Sequence, residues 1–236
     1  MPPGKLILIP APLGEGGEQV MPEYVLTEIH QLRYLIAERA KTARAYLKSV
    51  RYPIPFSELE IFELNKRTPP EELPQMLEPL RNGHNLGLLS EAGCPGVADP
   101  GAVIVEQAHQ EGISVVPLVG PSSILLALMG SGMNGQRFCF HGYLSPKKPE
   151  LSRQLKKLEQ ESSRLDQTQL FIETPYRNQA FMETALQSLQ GKTRVGIAAD
   201  LTLPTEYVRT QTVQQWKKRG WPNLHKRPAI FLIYAR

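Results

Sequence analysis

The stretch Leu86-Gly-Leu-Leu-Ser-Glu-Ala-Gly-Cys-Pro-Gly-Val-Ala-Asp-Pro-Gly101 decides the fold. Its apolar start over 86–89 predicts a short buried strand, and 102–110 predicts the helix that follows. Between them stand Gly93, Pro95, Gly96, Pro100 and Gly101, more backbone punctuation than a strand-to-helix corner requires. Gly lets a main chain approach a ligand closely, while Pro stiffens a loop and offers no donor. In open α/β sheets ligands bind outside the carboxyl ends of the strands. This loop is therefore a candidate binding loop, with an ordinary tight turn as the alternative.

Outward from this stretch the same alternation continues. Residues 5–10 (KLILIP) fit a strand buried on both faces, followed by a loop holding Pro12, Gly14, Gly16 and Gly17. A helix is expected near 23–31, a strand over 33–38, a helix over 39–49 and a weak strand over 61–64. The spacing then predicts a helix over 70–82, with Glu71 and Glu72 suiting its positive end. A strand over 114–118 completes the first half. Strands alternating with helices in this way argue an α/β fold with a mainly parallel, doubly wound sheet.

An apolar helix over 124–129, ended by Gly130-Ser-Gly132, marks the junction, so two α/β domains in series are expected, over 1–120 and 121–236. In the second domain, strands are expected over 138–141, 169–173, 194–199 and 228–234. Helices are expected over 149–161, from about 178 to 189, and over 213–218. Residues 207–212 alternate and are rich in β formers, which suits an antiparallel neighbour.

Composition narrows the function. The chain has 236 residues, 41% hydrophobic and 21% charged, which is ordinary for a globular protein. A net charge of +4 permits an anionic partner such as RNA without requiring one. Cys94 and Cys139 cannot build a disulfide framework, and the five His residues show no ligand spacing, so no metal is expected. No apolar run approaches the roughly 18 residues of a membrane span. A soluble protein in a reducing cytoplasm, with no membrane partner, is the expectation. No GxGxxG follows the first strand, and neither GxxxxGK[ST] nor GxSxG occurs, so nucleotide-binding Rossmann, P-loop and serine-hydrolase readings are unsupported. What remains is three Gly/Pro loops after apolar strands: Ala11-Pro-Leu-Gly14, Glu91-Ala-Gly-Cys-Pro-Gly96 and Gly120-Pro-Ser-Ser123. A cleft of main-chain groups at one sheet edge suits a zwitterionic, partly apolar ligand better than a polyphosphate.

The order of these motifs resembles the tetrapyrrole-methylase-like methyltransferases, and within them the ribosomal RNA small-subunit cytidine 2′-O-methyltransferases. That branch usually reads Asp-Ala-Gly-Thr-Pro-Gly-Ile-Ser-Asp-Pro-Gly, which Glu91 to Gly101 matches here. Its Glu-Ser-Pro-His-Arg is matched by Glu173-Thr-Pro-Tyr-Arg177, and its Phe-Leu-Pro-Arg-Lys is approximated by Tyr143-Leu-Ser-Pro-Lys147. The departures include the usual Asp that opens the main loop, which is Glu91 here, and further ones lie elsewhere. The usual Ala-Glu-Asp-Thr-Arg is Ala37-Glu-Arg-Ala-Lys41, His-Glu-His-Asn is Phe62-Glu-Leu-Asn65, and Arg-Glu-Leu-Thr-Lys is Ala199-Asp-Leu-Thr-Leu203.

The resemblance implies a methyltransferase using S-adenosyl-L-methionine, bound in a cleft between the two domains of a homodimeric enzyme. It places methyl-donor contacts at Leu13, Glu91, Gly93, Cys94, Ser122, Ser123 and Ile124. Further contacts fall at Ile172, Glu173, Ala198, Asp200, Pro228 and Ala229. For Ser122 and Ser123 simple helix capping is the alternative, for Glu173 a strand-end cap, and for Cys94 a loop filler. The implied acceptor is a ribose 2′-hydroxyl of ribosomal RNA or the small ribosomal subunit. Such a hydroxyl is a poor nucleophile and gains from a base. Glu38, at the carboxyl end of the second strand, is the candidate base. Arg39, Lys41, Arg44 and Lys147 are candidate phosphate contacts, a solvated helix face being the commoner fate of such charges. The late segment Trp216-Lys-Lys-Arg-Gly-Trp-Pro-Asn-Leu-His-Lys-Arg227 mixes aromatics with cations and suits RNA, or else carries partly buried indoles. Two other acceptor readings stay open: a tetrapyrrole-like or other small molecule, and a non-catalytic RNA-binding relative.

Overall fold

Runs of three or four residues, too short for helices, become the strands of the first sheet. The computed structural model describes residues 2–236, which divide into one unit ending at Ser122 and another spanning Ser123–Arg236. In the first unit, β1 (Leu6–Ile9), β2 (Tyr34–Ala37), β3 (Glu60–Glu63), β4 (Leu86–Leu89) and β5 (Val115–Pro117) form a parallel sheet in the order β3-β2-β4-β1-β5. The crossovers carry α1 (Glu23–Ile29), α2 (Ala40–Ser49), α3 (Leu73–Met76), α4 (Glu78–Arg81) and α5 (Ala102–Gln110). Successive side chains of a strand point to opposite faces. Ile7, Ile9 and Leu35 accordingly pack with Val25, Ile29 and Leu47 on one side, while Leu6, Ile36 and Leu88 pack with Leu80 and Ile104 on the other. Gly87, in the middle of β4, is forced by this layering. A Cβ there would lie 2.5 Å from both the Ile9 and Leu35 side chains.

The helix expected over 70–82 is instead three pieces, a 3-10 turn at Pro70–Glu72 followed by α3 and α4. Pro74 and Pro79 each lack an N–H and crowd the preceding turn, so each can only open a new helix. Pro74 and Pro79 stand in the first turns of α3 and α4.

The second unit opens with α6 (Ser123–Ser131), which runs through Gly130 and past the expected end at Met129. Packing of α6 against three strands of its sheet overrides the weak helix propensity of Gly. The sheet contains β6 (Phe138–Tyr143), β7 (Thr168–Glu173), β8 (Arg194–Ala199), β9 (Tyr207–Thr212) and β10 (Ala229–Tyr234), in the order β6-β7-β10-β8-β9. Only β6 and β7 are parallel; β10 is antiparallel to both neighbours, and β9 pairs antiparallel with β8. All six residues of β10 are buried, as its continuous apolar run requires. The helices are α7 (Lys148–Leu165), α8 (Asn178–Ser188) and α9 (Val213–Arg219), the last opened by a capping box between Thr212 and Gln215.

In the Trp216–Arg227 segment the structure favours the partly buried indoles over the aromatic RNA surface. Trp216 is 1% exposed, and its indole N–H donates to the Val195 carbonyl at 2.9 Å. Trp221 packs against the same core and donates to Gln179 Oε1. Trp216 therefore holds the fold and presents no face to a base, while Trp221 is partly buried and tethered. Among the described residues, no helix is long and apolar enough to cross a membrane.

Candidate functional site

In the first unit, β2, β4 and β1 are adjacent and parallel, so the loops that leave their carboxyl ends meet at one edge. A cleft of about 530 Å³ opens there, lined by Leu13, Ala37, Thr42, Tyr46 and Glu91 among others. That volume falls within the range of small-molecule sites. The loops after β1 and β4 are zipped together, since Ala11 and Gly93 each donate an N–H to the other's carbonyl at 2.9 Å. Gly93 has φ +74°, and a Cβ there would approach Leu13 Cδ2 to 3.3 Å. The left-handed backbone is what selects Gly here, and the close approach of Leu13 adds to it.

Asp99 was not singled out from sequence, yet it organises the rest of this loop. One of its carboxylate oxygens accepts N–H groups from Gly96 and Gly101, each at 2.8 Å. Burial raises its pKa above the ordinary value, with these two amides acting in the opposite direction. The signal was present in the Asp-Pro step, because Asp before Pro favours such turns. Cys94 lies close by, half-buried, its thiol directed to the Pro121 carbonyl at 3.5 Å. Burial pushes the thiol pKa up, which keeps it protonated and poorly nucleophilic.

Glu91 opens the loop and is already engaged. It pairs with Arg39 at 2.8 Å and accepts the Thr42 hydroxyl at 2.6 Å. Glu38 follows β2 and is half-buried. Desolvation is the main cause of its raised pKa, reinforced by the charges of Glu91 and Asp99 and opposed by Arg39 and Lys66. Lys41 and Arg44 are exposed on α2. Tyr46, on the same helix, lines the cleft with a buried hydroxyl that has no hydrogen-bond partner. Burial, with Glu18 adding to it, pushes that phenol's pKa up.

The second unit assembles its own set at the sheet centre. The carboxyl ends of β7 and β8 flank the amino end of β10. Ala229 pairs with Glu173 and Ala199, and Ile230 pairs with Ile172 and Ala198. Asp200 continues this edge with its N–H donated to the Pro228 carbonyl at 3.0 Å, while its carboxylate accepts Arg227 Nε at 2.7 Å and the Thr205 hydroxyl at 2.8 Å. Three segments remote in sequence thus share one edge. Glu173 is 3% exposed, accepts the Thr174 N–H at 2.6 Å and pairs with Arg177 at 2.8 Å. Its strand-end role is therefore realised, and Arg177, four residues on, was a visible partner. Ser122 precedes α6, while Ser123 and Ile124 lie in its first turn, all half-buried. Lys147 is exposed just before α7, where it pairs with Glu150 at 3.4 Å. Among the described residues, no group of three or more His, Cys, Asp and Glu side chains could hold a metal ion.

The model of the tetrapyrrole (corrin/porphyrin) methylases matches residues 11–216. The ribosomal RNA small subunit methyltransferase I of Bacillus subtilis is 30% identical over 93% of this chain and 70% of its own. The Thermotoga maritima protein of the same name is 28% identical over 92% of this chain and 93% of its own, and that of Haemophilus influenzae is 28% identical over 99% and 79%. Among solved structures, the methyltransferase CobJ covers 99% of the chain at a TM-score of 0.61 and 17% identity, and the cobalt precorrin-4 methyltransferase CbiF covers 98% at 0.61 and 15%. The two solved structures share the two-sheet fold, and the family match spans the loops described above. The chain belongs to the tetrapyrrole methylases and is an S-adenosylmethionine-dependent methyltransferase.

Proposed function

We propose that this protein methylates a ribose 2′-hydroxyl of small-subunit ribosomal RNA, acting in the cytoplasm as a homodimer. The observation that carries the acceptor is the similarity to ribosomal RNA small subunit methyltransferase I of Thermotoga maritima, which spans 92% of this chain and 93% of that protein. A recess of the second unit containing Met133 and the exposed Met129 and Phe138 supports a second copy as partner.

Each unit by itself holds residues that suit part of the methyl donor. Gly93 leaves free the space a Cβ would fill beside Leu13, so a ligand can lie against main chain from Glu91 to Cys94. In the second unit, Ile172, Ala198 and Ala229 offer apolar strand ends beside the main chain of Asp200 and Pro228, suited to an adenine. Glu173 is held by Arg177 and its own turn, so it acts through the backbone it fixes. Ser122 leads into α6, and Ser123 and Ile124 supply its start. The bound sulfonium supplies an electrophilic methyl group, and its in-line displacement depends above all on position. Glu38 takes the acceptor hydroxyl proton; its raised pKa strengthens it as a base once ionised. Arg39 positions Glu91, while Lys41, Arg44 and Lys147 present cations to phosphates.

The test is methylation of small ribosomal subunits from a strain lacking this enzyme, by purified protein with S-adenosylmethionine. One new 2′-O-methyl group, mapped by mass spectrometry, is expected. An unmodified subunit, with S-adenosylhomocysteine still bound, would reject the RNA acceptor and leave the enzyme class standing.

A further inference from the structure

Cations are unevenly placed in the first unit. Of its ten Lys and Arg residues, five (Arg39, Lys41, Arg44, Lys48 and Arg51) fall within thirteen consecutive positions. The unit carries fifteen acids, yet none lies between Glu38 and Glu58. Lys41, Arg44 and Lys48 share one side of α2 by helical spacing, away from the buried Ala43 and Leu47. All three are exposed, and no ion pair among the described residues engages them or Arg51. Arg51 ends this row at φ 56°, a left-handed position that ordinarily selects Gly, so a guanidinium is kept where backbone preference disfavours it.

Directly beyond the row stands an aromatic platform. Tyr52 and Phe56 are nearly parallel, their ring centroids 6.2 Å apart at 12°. The Tyr52 hydroxyl donates to the Leu32 carbonyl, which anchors that ring, and Pro53 and Pro55 stiffen the chain between the two. Phe56 is 39% exposed. Lys48, Arg51, Tyr52 and Phe56 line a single open groove. A solvated helix face would account for the cations alone; it leaves Phe56, exposed and stacked on the anchored, half-buried Tyr52, without a role. Single-stranded nucleic acid sites combine these two features, a cationic row for the backbone and a ring on which a base stacks. The row starts at Arg39 beside the Glu91 cleft and follows the ten residues of α2, about 15 Å at the helical rise.

We infer that the outward face of α2 and the Tyr52–Phe56 pair form a docking track for a single-stranded segment of the RNA, leading from the cleft to a base-stacking platform. This rests on the RNA acceptor proposed above. Lys41, Arg44, Lys48 and Arg51 meet phosphates, and Phe56 stacks a base. The track fixes which nucleotide reaches Glu38 by holding the neighbouring strand. In the second unit Trp216 is buried and Trp221 is partly buried against the core with its N–H held by Gln179, so among the described residues the cations of α9 adjoin no exposed, stacked ring pair.

The experiment uses the full-length protein and a fluorescent single-stranded RNA, with affinity followed by anisotropy over a range of salt. Lys48→Glu with Arg51→Glu is expected to weaken binding about tenfold or more and to lower the salt slope by about 1.4, at about 0.7 per phosphate contact. Phe56→Ala is expected to weaken binding about fivefold with the slope unchanged. S-adenosylhomocysteine affinity stays at the wild-type value in both, which reports an intact fold. Lys217→Glu with Lys218→Glu, on α9, serves as the control and loses less. If wild type methylates small subunits while the Lys48/Arg51 variant keeps full RNA affinity, or loses no more than the control, the track is overturned alone. If wild type neither binds the RNA nor methylates the subunit, the RNA reading falls together with the track.

Discussion

Arg39 and Glu91, 52 residues apart, meet in a 2.8 Å ion pair at the mouth of the first unit's cleft, with Thr42 donating to the second Glu91 oxygen. The guanidinium is largely in solvent, so screening leaves the pair little weight in stability. Its consequence is electrostatic and local, because Glu38 feels both partners.

Arg39→Asp therefore tests the altered motif directly. It removes a charge that lowers the Glu38 pKa and adds one that raises it. A base must be ionised to act, so activity is lost as pH falls through its pKa. The acid limb of kcat/KM is expected to move to higher pH in Arg39→Asp and, by less, in Arg39→Ala. A pH–rate profile that does not move would remove Arg39 from the electrostatics of the base.

For Glu38 itself, desolvation together with Glu91 and Asp99 lifts the pKa above the ordinary carboxylate value. The wild-type acid limb should accordingly lie above the usual carboxylate range. Glu38→Gln should abolish that limb and lower kcat by about 10²–10⁴, the usual worth of a general base. Calorimetric titration with S-adenosylhomocysteine should show donor affinity unchanged.

Cys94 sits in the main loop with a thiol whose pKa is raised by burial and which faces the Pro121 carbonyl. Cys94→Ala should retain wild-type kcat and cost less than about 1 kcal/mol of stability, since a neutral thiol is a weak donor. Loss of turnover with unchanged donor binding would show a chemical role for the sulfur.

Trp216→Ala should act on stability alone. The ring is fully buried in the second unit's core, and its N–H occupies the Val195 carbonyl. Removing a large core aromatic costs about 3–5 kcal/mol. Urea unfolding measures the loss, while the folded fraction should keep the wild-type salt slope for RNA. A changed slope would return this segment to the RNA surface.

Much of the architecture was legible because strand and loop signals are local. The apolar runs at β1, β4 and β10 and the Gly/Pro clusters after β1 and β4 lie where expected. The helix expected over 70–82 breaks up because Pro74 and Pro79 each remove a helical hydrogen bond, which the start signals at Glu71 and Glu72 do not reveal. The Trp216 segment stayed open between an RNA surface and partly buried indoles, because cations beside indoles look alike in sequence whether the rings face solvent or core.

By itself the amino-acid sequence determined the alternation of elements, the absence of nucleotide-loop and serine-hydrolase motifs, and the Glu91–Gly101 loop that carries the family. Only the tertiary structure decided which of these residues meet. Sheet register brings Ile172, Ala198 and Ala229 to one edge, and the Ala11–Gly93 bridge joins two loops far apart in sequence. Packing turns Trp216 inward, and the crossover from β2 into α2 places Arg39 on Glu91. Periodicity and turn chemistry act over a few residues, whereas register and burial are set by the balance of the whole sheet, which no local pattern encodes.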